Sequence, residues 1–310
     1  MAKGKHKKST HKKSASTVSK PGRSSLDWLA WAYRPTHTST GGSWQLAYRI
    51  LLGIGIVGLL VLSQLTGINA DEKFQDHYAE RVLNYYLSGG TDRAALYEDD
   101  QSSQRFNKYY GGFFELLSAG TNRLLGNEFG PAYYSVRHFL NALFAVLLLV
   151  VIARWTRQLA GIRAAVFALI LLLASPRLLG HGVMNPKDVP FAAGYLMAAY
   201  YLYRCLLTMP RPSWRDGLGF VLGAALATSV RAGGILVFCY SGLFLGLDFL
   251  IRYGLKGIWQ QPKYLARYAA YWAASTVVAF TLAILFWPYG LQDPIAHTLE
   301  ALEQFSSYPI

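Results

Sequence analysis

The sequence predicts an all-α fold: a polytopic transmembrane helical bundle of about seven spans, with a long outer loop carrying interfacial amphipathic helices. Three observations predict it. Hydrophobic residues make up 53% of the chain and charged residues only 15%, well below the roughly 25% charged of an ordinary soluble domain. The apolar residues cluster in runs close to the length that crosses a bilayer, about 20 residues; Ile50–Ala70 and Tyr268–Gln292 contain no Asp, Glu, Lys or Arg. Finally, the connections between runs alternate between strongly basic and weakly basic, as the positive-inside rule requires.

The runs give spans at about Tyr48–Ile68, Val136–Ile152, Ala164–Leu179, Val189–Leu207, Leu218–Val230, Gly234–Ile251 and Ala269–Trp287. Connections after the second, fourth and sixth spans are basic: Arg154, Arg157 and Arg163; Arg204, Arg211 and Arg215; then Arg252, Lys256, Lys263 and Arg267. These face the cytoplasm, and so does the N-terminus. The first 23 residues carry seven Lys, one Arg and no acid. Residues 1–44 therefore read as a basic, disordered cytoplasmic tail with a juxtamembrane segment, drawn to anionic lipid. Membrane orientation accounts for the net charge of +13 better than nucleic-acid binding does. About 26 polar residues precede Trp28, which excludes a cleavable signal peptide. Residues 45–310 form the membrane domain, and residues 69–135 its outer loop. Two stretches of that loop have helical spacing, Asp71–Leu87 and Tyr109–Leu125, with irregular chain between them. Cys205 and Cys239 lie in apolar runs and read as small buried hydrophobes; they can form neither a disulfide framework nor a zinc motif.

With this topology the unusual polar residues gather on the outer face: Asp71, Glu72, Arg137, Arg177, Asn185, Lys187, Asp188, Arg231, Asp293 and His297. Ionisable groups at membrane depth are costly and face a cavity or substrate path. Asp71 and Glu72 follow the first span directly. Asn69 can cap a helix that holds both in its first turn, where the helix dipole favours them; the alternative is that one of them serves as a general base. Glu72, Asp76 and Glu80 share one helical face and read as solvated, with no metal site implied. The stretch SPRLLGHGVMNPKDVPFAAGY, residues 175–195, is stiffened by Pro176, Pro186 and Pro190. Asn185 can cap the next helix, with Pro186 at its first position and Asp188 in its first turn. Arg177, His181 and Lys187 have no such structural explanation. Arg137 and Arg231 stand at span ends, as snorkelling anchors or as phosphate grips. Gly233 and Gly234 after Arg231 permit a tight turn or the close approach of a ligand.

These residues resemble the GT-C glycosyltransferases, in the branch of protein O-mannosyltransferases and aminoarabinose transferases. The resemblance rests on Asp71-Glu72 after the first span, the long loop, Arg137, the SPRLLGHGVMNPKDVPF stretch, SVRAGG and FWPYGLQDPIAHTLEAL. It implies a polyprenyl-phosphate sugar as donor, and a protein, lipid or glycan as acceptor. Asp71 is implied as the catalytic base. Arg137 is implied to hold the donor phosphate or to order the site, with Glu72, Asn185, Lys187, Asp188 and Arg231 lining it. The implied place is the cell (inner) membrane, with the active site outside. No soluble nucleotide is required; a divalent metal near Asp71 and Glu72 is left open, with no convincing ligand set in the sequence. Family members continue with further spans, so the chain ending at Ile310 is expected to lack them and to transfer little sugar alone. The alternative class is a transporter or flippase for a lipid-linked or anionic solute. Charges gathered at one face, with no inverted repeat, speak against it.

Overall fold

A computed structural model describes residues 42–97 and 107–306, all within one unit, Pro35–Ile310. The basic tail lies outside the described residues, except that residues 42–44 already belong to the first helix. The described residues form an all-helical bundle. In chain order these are α1 (Gly42–Leu65), α2 (Ala70–Leu87), α3 (Phe113–Leu125), α4 (Pro131–Leu173), α5 (Pro176–Met184) and α6 (Asp188–Thr208). Then come α7 (Trp214–Val230), α8 (Leu236–Tyr253), α9 (Gly257–Gln260), α10 (Pro262–Ile284), α11 (Pro288–Gln292) and α12 (Ala296–Ser306). Every apolar run read as a span falls mainly on a helix. Among the described residues three stretches, Gly42–Leu65, Pro131–Leu173 and Ala232–Tyr253, are long and apolar enough to cross a membrane. Large side chains stay exposed on α1 (Ile54, Val57, Val61) and α8 (Leu243, Phe244, Leu247). Water would not tolerate so much apolar surface, whereas lipid does.

The second and third runs share α4, a helix of 43 residues interrupted at Gly161, whose φ of 84° is non-helical. Glycine takes that conformation without the clash a Cβ would bring. A side-chain methyl added at Gly55 of α1 would lie 2.6 Å from Leu149 and 3.1 Å from Leu173. Those two leucines are therefore neighbours, whereas a straight helix would hold them about 36 Å apart. The chain reverses at Gly161, and the two halves of α4 both pack on α1. Their shared core is Leu59, Ala145, Leu149, Ala165 and Leu169.

One boundary differs from the sequence reading. The third run was expected to continue to Leu179, but its helix stops at Leu173. Ser175 accepts a hydrogen bond from the Leu178 N–H at 3.3 Å and caps a separate helix with Pro176 in its first turn.

α6 and α7 pack through small residues. A Cβ at Gly194 would meet the Ala227 backbone nitrogen at 2.6 Å, and one at Gly223 the Ala198 nitrogen at 2.5 Å. The Gly194/Ala198 and Gly223/Ala227 pairs, each four residues apart, let the two backbones touch, as small residues do between membrane helices. Phe220, Phe238, Leu245 and Phe249 extend this core to α8 and α10.

The loop helices dock onto the start of α4 and set the floor of the site. Here the structure corrects the reading of α2. Its Glu72–Asp76–Glu80 face is not solvated: Glu72 is 1% exposed and Asp76 2%. Each acid has a partner on α4. Glu72 Oε1 lies 2.9 Å from His138 Nε2, the Tyr134 hydroxyl donates to Asp76, and the Tyr133 hydroxyl donates to Glu80 at 3.2 Å. α3 joins the same helix through Glu115 and Arg137, 2.9 Å apart.

Candidate active site

Connections that alternate along the chain gather at one end of the bundle. Asn69 Nδ2 donates to the Met184 carbonyl at 3.0 Å, the Gly111 N–H to Val230 at 3.1 Å, and the Trp287 indole to Lys108 at 2.7 Å. The opposite end carries basic residues of the other connections: Arg157 over Tyr48, Arg163 over Trp44, and Arg204 on Asp216. A cavity of about 840 Å³ opens at the first end.

α2 supplies its acid. Asn69 Oδ1 accepts from the Glu72 N–H at 3.0 Å, and Glu72 Oε2 accepts from the Asn69 N–H at 3.0 Å. This reciprocal capping box satisfies two of the donors left open at the helix start. It engages Glu72, so that Asp71, one residue earlier and about 100° round the helix, is exposed and lines the cavity. Gln75, one turn further along α2, is buried beneath it in the same wall.

The 175–188 stretch supplies the facing wall. Asn185 Oδ1 accepts from the N–H groups of Lys187 and Asp188 at 3.3 and 2.8 Å. It caps the turn as expected, although α6 begins only at Asp188, two residues after Pro186. Its Nδ2 reaches Asp188 Oδ2 and His181 Nδ1, both at 2.8 Å. Asp188 Oδ1 in turn holds Arg231 Nη2 at 2.6 Å.

Arg231 is positioned by its backbone, which is extended and forms a β-bridge with Tyr110. Gly111 makes that bridge fit: a Cβ there would lie 2.0 Å from the Ser229 carbonyl oxygen. Gly234 lets the turn after Arg231 fold back on Thr228, 2.4 Å from where its Cβ would be. Gly233 faces the cavity instead. Lys187 Nζ stands 3.9 Å over the Tyr110 ring, and Phe305 of α12 packs on the other ring contact at 4.7 Å. Leu302 and Phe305 close that side of the cavity.

The electrostatics single out Lys187. Burial pushes its ammonium down to about 8; Glu115, Asp71 and Asp188 oppose the shift, and Arg231 adds to it. Burial also pushes the Glu115 carboxyl above its ordinary range, against the pull of Arg137 and Lys187. The cavity thus brings the carboxylates of Asp71 and Asp188 together with the cations of Arg177, Lys187 and Arg231.

Of the residues singled out from sequence, Asp71, Asn185, Lys187, Asp188 and Arg231 line this cavity together, with Arg177 and His181. Glu72 and Arg137 do not. Glu72 is consumed by Asn69 and His138. Arg137 is 1% exposed, donating to Glu115 Oε2 at 2.9 Å and Ser118 Oγ at 2.8 Å. It is neither a snorkelling anchor nor part of the cavity surface. Asp293 caps the turn before α12 through the Ala296 N–H at 3.0 Å, and His297 stacks on Tyr289 at 3.9 Å. Among the described residues no group of three or more His, Cys, Asp or Glu side chains converges as a metal site would. Cys205 is buried as expected, but Cys239 is exposed on α8. Sequence reasoning missed Gln75, Tyr110, Leu302 and Phe305. The paired glycines of YYGG were the available signal for Tyr110, because adjacent glycines before an apolar helix mark a close backbone approach.

The fold and cavity define a polytopic membrane protein whose polar site lies where its helices end. The sequence profile described as dolichyl-phosphate-mannose-protein mannosyltransferase matches residues 123–287, more than half of the chain. The chain belongs to that family, and is thereby a membrane glycosyltransferase of the mannosyltransferase kind. The match includes Arg137, the 175–188 stretch and Arg231, while Asp71 precedes it. No curated protein and no solved structure matches the chain in the same comparisons.

Proposed function

We propose that this chain transfers a sugar from a polyprenyl-phosphate carrier to an acceptor, with Asp71 as general base and Lys187 and Arg231 on the donor phosphate. The observation that carries the reading is the cavity itself, where Asp71 shares one wall-bounded space with Lys187 and Arg231. The acceptor hydroxyl or amine attacks the anomeric carbon and passes its proton to the Asp71 carboxylate. The bond from that carbon to the phosphate oxygen breaks, and the electron pair leaves with the lipid phosphate. Fixed cations stabilise that departing charge most in a site held dry by its surroundings. General-base help of this kind is worth about 10²- to 10⁴-fold. Asp188 aims Arg231, whose planar guanidinium suits a phosphate better than an ammonium does. Arg137 takes the ordering role: it holds Glu115 beneath the cations and does not touch the donor. Glu72 shapes the start of α2.

The prenyl chain lies in the bilayer beside the helices, and the cavity opens on the outer face of a cell membrane, opposite the basic connections. The family name points to mannose as the first sugar to test and a protein hydroxyl as the first acceptor. The test is donor binding by the purified chain in lipid vesicles, with radiolabelled transfer from polyprenyl-phosphate mannose measured beside it in a transfer-competent form of the protein. Transfer that depends on Asp71 supports the reading. Donor binding absent from the parent chain, or transfer unaffected by Asp71→Asn, defeats it.

A further inference from the structure

The proposed chemistry leaves His181 without a task, although it is exposed on the cavity side of α5. Its hydrogen-bonding roles follow from its neighbours. Asn185 has one permitted orientation: its Oδ1 faces two backbone N–H groups, at 2.8 and 3.3 Å, and its Nδ2 faces the Asp188 carboxylate at 2.8 Å. Exchanging the amide atoms would set donor against donor and oxygen against carboxylate oxygen. The second Nδ2 hydrogen therefore points at His181 Nδ1, 2.8 Å away. That nitrogen must offer a lone pair, so the ring's proton resides on Nε2. The backbone around the ring is pinned as well. Asn141 Nδ2 donates to the His181 and Gly182 carbonyls at 3.1 and 3.0 Å, and the Asn185 N–H donates to the His181 carbonyl at 3.0 Å. Among the described residues Nε2 has no hydrogen-bond partner.

We infer that His181 is a ligand-contacting residue, neutral and locked by Asn185 as the Nε2–H tautomer, which donates a hydrogen bond to an oxygen of the sugar-phosphate headgroup. The inference rests on the donor reading above. It adds a third contact, distinct in kind from the two cations, because a neutral donor recognises the direction of an oxygen lone pair and not only its charge. The same chain of contacts, His181–Asn185–Asp188–Arg231, makes the imidazole and the guanidinium one unit. The oxygen can belong to the phosphate or to the sugar, and both accept such a bond.

Two substitutions separate the two edges of the ring. Asn at position 181 puts a carbonyl oxygen near the place of Nδ1 and keeps the acceptor for Asn185, but it has nothing at the Nε2 position. Gln puts an amide nitrogen near the place of Nε2. Binding to reconstituted chain is measured with two probes, polyprenyl phosphate alone and polyprenyl-phosphate mannose. His181→Asn should keep the parent's thermal stability and lose about ten- to a hundredfold in binding of the mannosyl probe, the range for a hydrogen bond to a charged or fully desolvated group. His181→Gln should recover most of that loss. An equal loss with both probes assigns the oxygen to phosphate; a loss with the mannosyl probe alone assigns it to the sugar. Nitrogen-15 NMR of histidine-labelled parent and His181→Asn chains, compared at pH 7.5, should show a resonance pair of the Nε2–H tautomer that disappears in the variant. An Nδ1–H or doubly protonated ring at that pH overturns the lock. Parent-like binding by His181→Asn overturns the contact while leaving the donor reading intact. Failure of the parent to bind either probe defeats the donor reading and this contact with it.

Discussion

Along α2, neighbouring carboxylates meet opposite surroundings. Asp71 is exposed in the cavity, while Glu72, Asp76 and Glu80 run down the other side of the helix to His138, Tyr134 and Tyr133 of α4. The arginines divide in the same way. Arg231 reaches the cavity surface and Arg137 is sealed beneath it with Glu115. The two regions use the same residue types for different work. In the buried ladder a charge is tolerated because its partner is fixed and desolvated with it. At the cavity the charges are partly left to solvent, and so to a ligand. The comparison teaches that a charged residue at a span end cannot be assigned from its position: burial of the partner decides whether it supports the site or forms its surface.

The difference can be broken first at Glu115. Glu115→Leu leaves Arg137 buried without the carboxylate it hydrogen-bonds, which should cost about 3–5 kcal/mol. Adding Arg137→Met should restore most of that stability. Thermal unfolding in detergent with the double-mutant cycle checks this; additive losses would mean that the two side chains do not act as a pair. A smaller effect is expected at Asn69. Asn69→Ala removes the capping box and the bond to Met184, costing about 0.5–2 kcal/mol, and should reduce donor binding because Asp71 and the 175–188 stretch are no longer tied. Parent-like stability and binding would contradict this link.

Subtler still is the titration of Lys187. Its pKa in the unliganded chain is lowered to about 8, and binding an anion favours the charged form. Donor affinity should therefore be level below about pH 8 and fall above it, by up to about tenfold per pH unit until the liganded chain also loses the proton. Lys187→Met should bind more weakly and show no such break. A parent profile flat from pH 7 to 10 would mean that Lys187 does not meet the donor.

Much of the bundle was legible in the sequence because long apolar runs have few alternatives to membrane helices. The turn at Gly161 was not, since a lone glycine in an apolar run reads equally as a packing residue. At the site, SPRLLGHGVMNPKDVPF was legible as a whole because prolines and polar residues crowd between two apolar helices. The solvated reading of Glu72, Asp76 and Glu80 failed for a physical reason. Acids four residues apart define a face, but its partners, Tyr133, Tyr134 and His138, come from more than 50 residues away and carry no charge pattern of their own. Arg137 looked like a phosphate grip because its counter-ion, Glu115, lies on a different amphipathic helix and only tertiary packing joins them. Tyr110 and Phe305 reach the cavity through loop and C-terminal contacts that no local periodicity encodes.

The most direct test sets neighbours against each other. Asp71→Asn and Glu72→Gln are made in the same transfer-competent form of the protein, and single-turnover transfer from excess polyprenyl-phosphate mannose is measured beside donor binding and thermal stability. Asp71→Asn keeps the size of the side chain and suits a helix terminus, so insertion, stability and donor binding should match the parent while transfer falls by about 10²-fold or more. Glu72→Gln can still complete the capping box, but it loses the charge facing His138. It should lower stability by about 1 kcal/mol and transfer much less than Asp71→Asn does. Asp71→Asn retaining more than about a tenth of the parental rate, or Glu72→Gln proving the more damaging to transfer, would contradict the assignment of Asp71 as the base.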